Sequence, residues 1–82
     1  MMDDAAIERA ILEAVSVRGA GKTICPSEVA RALAADWRAL MPQVRAVAGH
    51  LARSGDIIVT QKGAPVALET ARGPIRLGLP SD

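Results

Sequence analysis

The chain has 82 residues, ten Lys and Arg against nine Asp and Glu, and a formal net charge of +1. That length allows one small domain, residues 1–82, and half of it is apolar, enough for a core built from Ala, Val, Leu and Ile. One cysteine, one histidine and no run near the ~20 apolar residues of a membrane span argue against an internal disulfide, a four-ligand structural zinc and a membrane anchor.

A first helix is predicted over about residues 3–17. Asp3 or Asp4 is a good N-cap, and Ile7, Ala10, Ile11, Ala14 and Val15 recur on one face. Arg18 and then Gly19 suit its C-terminal end. Acidic Asp3, Asp4 and Glu8 stand where a signal peptide would carry cations, so a cytoplasmic protein is expected.

The loop that follows, Gly19-Ala20-Gly21-Lys22-Thr23, matches the end of a phosphate-binding motif. The first glycine of that motif would fall at Ser16, and the motif needs a strand before and a helix directly after. Here a helix precedes, and Ile24-Cys25-Pro26 intervenes. A solvated Lys22 in a connecting loop is the simpler reading. Thr23-Ile24 can form a very short strand. Cys25 near a helix start is a candidate redox thiol, but the chain holds no second cysteine to resolve it.

Pro26 fits the first turn of a second helix over about 26–34, with Val29, Ala30 and Leu33 inward. Ala35-Asp36 make a turn, with Asp36 as N-cap of a third helix over about 37–54. Pro42 lies inside that helix and predicts a bend or a step between an opening turn at Trp37–Met41 and a main helix from Pro42 to Arg53. Gly55 ends it. Leu40, Val44, Val47, Ala48 and Leu51 share the core side. The opposite face presents Arg38, Arg45 and Arg53 around the small residues Ala46 and Gly49. Trp37 is expected to fill the core at the turn. His50 has no nucleophile or carboxylate spaced to work with it, so an enzyme is not expected, and neither is a cofactor or metal.

Ile57–Lys62 reads as a strand, Gly63-Ala64-Pro65 as a turn, Ala67–Ala71 as one helical turn, and Pro74–Leu79 as a return strand with Ile75, Leu77 and Leu79 on one side. Pro80, Ser81 and Asp82 are expected to fray. The order is that of a winged helix-turn-helix, mainly α within the α+β class, with three helices, a short strand and a two-stranded wing over about 57–79.

Taken together, TICPSEVARAL, WRALMPQVR, TQKG and RGPIRL resemble a family of small bacterial domains of unknown function, over most of the chain. The resemblance implies a winged-helix fold and no particular chemistry.

Function is then argued from charge placement. Residues 1–36 carry four cations and six anions, whereas residues 37–81 carry six cations and two anions. A recognition helix enters the major groove by its N-terminal part, which points to Arg38, Gln43 and Arg45 for base edges or phosphates. Lys62 and Arg72 would meet flanking phosphates, which position a protein without specifying sequence, and Arg53 and Arg76 complete the basic set. The expected partner is double-stranded DNA, bound by a transcription-regulatory module. A homodimer would double the basic surface. The alternatives are a protein-interaction module using the Ala46–Gly49 face or the wing edge, and charge scattered only for solubility.

Overall fold

A computed structural model describes residues 2–80, and the fraying expected for residues 81 and 82 concerns positions outside them. Helix α1 (Asp4–Arg18) starts where Asp3 accepts a hydrogen bond from the Ala5 N–H at 3.1 Å. Ile7, Ile11 and Val15 are its buried face. Strand β1 (Thr23–Ile24) and helix α2 (Pro26–Leu33) follow, with Pro26, Val29 and Ala30 buried. The Glu28 carboxylate accepts from the Cys25 N–H at 2.8 Å and pairs with Arg18 at 2.8 Å. One side chain thus caps α2 and ties it to the end of α1. The Gly19–Lys22 loop therefore leads into a strand, which is not the geometry of a phosphate loop.

Helix α3 (Trp37–Arg53) buries Leu40, Val44, Val47, Ala48 and Leu51, the predicted core side. One expectation about it needs correction. The helix is continuous through Pro42 rather than stepped. Proline removes one donor to the Arg38 carbonyl, but both residues are exposed, so water can replace the lost bond. Asp36 occupies the N-cap position, as expected, and makes no side-chain capping bond. Its backbone (φ −89°, ψ 64°) departs from the extended conformation usual for a cap.

At its far end α3 closes through Gly55, at φ 82°. The Gly55 N–H donates to the Ala52 carbonyl at 3.1 Å and the Asp56 N–H to the Leu51 carbonyl at 2.9 Å, a Schellman closure. A Cβ at Gly55 meets no atom within 4 Å, so only backbone strain opposes substitution. Gly55→Ala is expected to lower unfolding free energy by about 1 kcal/mol in urea titration, and Gly55→Asn by less.

Strands β2 (Ile58–Gln61), β3 (Ala64–Pro65) and β4 (Arg76–Gly78) complete an antiparallel sheet in the order β1-β4-β2-β3. The wing differs from the predicted two-stranded form. Gln61 pairs with Ala64, so the turn is Lys62-Gly63, and Ala64-Pro65 belongs to a strand. Both turn residues have positive φ (53° and 82°), the signature of a tight type I′ hairpin. Pro65 is tolerated because β3 is an edge strand. The β4 strand packs β2 on its other side, with Thr60 opposite Arg76. Ile75 and Leu77 are buried and Arg76 exposed, as the alternation predicts. Between β3 and β4, one helical turn forms at Ala67–Ala71, where the Ala71 N–H donates to the Ala67 carbonyl at 3.0 Å.

Three helices packed together beside a small antiparallel sheet make an α+β fold compatible with a winged-helix arrangement. Its core, Ile7, Ile11 and Val15 with Val44, Leu51, Ile57, Val59, Ile75 and Leu77, lies between helices and sheet.

Candidate nucleic-acid interface

The candidate residues fall into three groups. The first is the wing. Lys62 stands in the β2–β3 turn, Arg76 projects from β4, and Arg72 lies on the arm between β3 and β4. These three cations, with Gln61 and Pro74, line an open cleft of about 490 Å³, and no carboxylate lines it. Gln61 holds the cleft together: its amide donates to the carbonyls of Arg72 and, at 3.1 Å, Pro74. That clamp fixes the returning arm against β2 and was not singled out from sequence, where a lone glutamine in a strand carries no signal. Arg76 also reaches from β4 to the neighbouring β1, donating to the Thr23 hydroxyl and carbonyl, each at 3.0 Å. Neither acceptor is an anion, so its charge stays uncompensated while its position is fixed.

The second group is the open face of α3, and here the helical wheel was misleading. Arg53 pairs with Glu69 at 2.6 Å. Both side chains are more than half exposed, so the pair adds little stability, but it neutralises that cation. Gly49 is buried, not part of an open floor. A Cβ there would lie 3.0 Å from Leu68, because the Ala67–Ala71 turn folds down over α3. Arg45 is half-buried beside Ala46, Gly49, Leu68 and Glu69 in the cleft this turn leaves. Gln43 is engaged elsewhere: its amide donates to the Met2 carbonyl and to Asp4 at 2.7 Å, fastening α3 to the start of α1. A residue so occupied is poorly placed to read a base edge.

The third group sits at the elbow between α2 and α3. Trp37 is half-buried, not wholly in the core, and packs against it from the edge. Two guanidinium groups lie over its ring, Arg31 at 4.4 Å and Arg38 at 4.5 Å from the centroid. Arg31 was not among the sequence candidates, because its stacking partner belongs to the next helix. Among the described residues, Arg38, Arg45, Lys62, Arg72 and Arg76 have no carboxylate within 4.0 Å. His50 is exposed, and no helix of the described residues is long and apolar enough to cross a membrane.

Fold and surface together define a small α+β domain of winged-helix-like arrangement with a basic wing. The family described as a protein of unknown function, DUF3253, matches residues 4–80, and the chain belongs to that family. No curated protein matches it.

Proposed function

We propose that the domain is a non-enzymatic, cytoplasmic DNA-binding module of a transcription regulator, which holds the duplex backbone with its wing. The observation that carries this reading is the cleft of Lys62, Arg72 and Arg76 with no acidic residue in its lining. Phosphate neutralisation supplies much of the affinity of such proteins, and a local cluster of cations can act where net charge is only +1. Arg45 adds a charge on α3, while Gln43 and Arg53 contribute less because each is engaged within the fold. The contacts grip phosphates and position the domain without selecting a sequence.

Lys62 itself supports the reading. Its φ of 53° is the one positive value among the described non-glycine residues. Asn-Gly is the favoured pair for this turn, so a lysine here is conformationally costly and its cation offers a reason for it. Lys62→Asn is accordingly expected to raise unfolding free energy by about 0.5 kcal/mol. The same change should weaken duplex binding several-fold and lower by about one the slope of log affinity against log salt. Fluorescence anisotropy with a labelled duplex across a salt series measures this. If the natural chain shows no duplex binding at low salt, even at tens of micromolar, the reading is wrong, and salt-insensitive capture of a protein would favour an interaction module.

A further inference from the structure

The elbow between α2 and α3 is a second charged feature, separate from the wing. Arg31 lies in the last turn of α2 and Arg38 in the first turn of α3, yet both guanidinium carbons lie within 4.5 Å of one ring centroid. The two charges are therefore no more than about 9 Å apart, within about one Debye length at ordinary salt. Like charges at that range repel, and no carboxylate within 4.0 Å offsets either one among the described residues. Asp36 precedes the ring in sequence but forms no ion pair with them.

The ring explains how the pair is held. Each guanidinium is attracted to the aromatic face, and Arg stacks there while keeping its N–H groups free. Neither side chain makes a hydrogen bond within the described chain. Five donors on each, held by a half-buried platform, thus face outward with nothing to bind. Pre-ordering removes part of the entropy that a long flexible side chain loses on binding. An oxyanion with several acceptor oxygens fits this arrangement, since guanidinium and phosphate match in a bidentate geometry.

We propose that Arg31, Trp37 and Arg38 form a phosphodiester-binding site, an aromatic-braced arginine pair that takes a backbone phosphate of the duplex held by the wing. The proposal rests on the duplex-binding reading and adds to it a second anchor, on the helices. The two anchors hold the duplex at separate places, which restricts its rotation about the wing.

Trp37 is the sole tryptophan, so its emission reports on this elbow alone. The full chain is titrated with a fluorescein-labelled duplex at low salt, following label anisotropy and Trp37 emission together. Both signals are expected to follow one isotherm. Arg31→Ala and Arg38→Ala, at exposed positions, should each weaken binding about tenfold and lower the salt slope by about one. Arg31→Lys should restore the slope, because the charge returns. Unchanged emission on binding, with full affinity in both Ala variants, overturns the elbow site and leaves the wing reading standing. Absence of binding by the natural chain overturns both. A polyglutamate that displaces the duplex at equal charge overturns the assignment to phosphate.

Discussion

Reversing two wing charges, Lys62→Glu together with Arg72→Glu, is expected to reduce duplex affinity by about a hundredfold or more at low salt. Each lost charge-assisted contact with phosphate is worth about 1.5 kcal/mol, roughly a factor of ten, and the new carboxylates add repulsion. The slope of log affinity against log salt should fall by about two. Both residues are exposed and neither side chain donates a hydrogen bond within the described chain, so thermal unfolding should stay near the natural value. The control is Arg9→Glu with Ala5→Glu and Ser16→Glu, all on α1. It makes the same change in net charge at exposed positions remote from the wing cleft in sequence and absent from its lining. Placement predicts little loss in the control, whereas a net-charge effect predicts equal loss in both. Equal loss would refute the wing as the contact.

The largest effect on stability is expected from Leu77→Ala, about 3 kcal/mol. Leu77 is fully buried on β4, directly opposite Ile24 of β1 and Val59 of β2, both also buried. These three side chains form one row across three strands, above the helices. Truncating the middle member removes packing on both sides, and the backbone hydrogen bonds of the sheet limit collapse into the void. A domain of this length is held by only about 4–12 kcal/mol, so the loss is a large share of the total. The midpoint of thermal unfolding should drop by more than about 10 °C. Leu77→Met keeps the volume and should lose less than about 1.5 kcal/mol. A small shift for Leu77→Ala would mean that the sheet does not depend on this row.

The helices were readable because their signals are local. Periodic apolar residues, Pro26 at a first turn and Gly55 at a last one place α1, α2 and α3 within a residue or so of where they lie. The wing was less readable for equally local reasons. Lys62 is an unusual residue at positive φ, and Gly63-Ala64-Pro65 resembles a turn although Ala64-Pro65 is an edge strand. The open face of α3 depended on partners that no helical wheel contains. Glu69 lies 16 residues beyond Arg53, and Asp4 lies 39 residues before Gln43. Leu68 covers Gly49 for the same reason. Lys62, Arg72 and Arg76 share one cleft because the arm that carries Arg72 is clamped to β2 through Gln61, which acts on backbone carbonyls.

The strand order has a consequence for how the domain is made. The β4 strand lies between β1 and β2, yet it leaves the ribosome after every other strand and helix of this domain. The bond from Arg76 to Thr23 spans 53 residues of sequence. The helices can collapse on one another while synthesis continues, since their contacts close shorter loops. The sheet cannot close until its central strand arrives, and until then β1 and β2 present unpaired edges to any neighbouring chain. Assembly of the wing is thus the final, topology-limited step, and the surface that would grip an anion exists only once the whole domain has emerged.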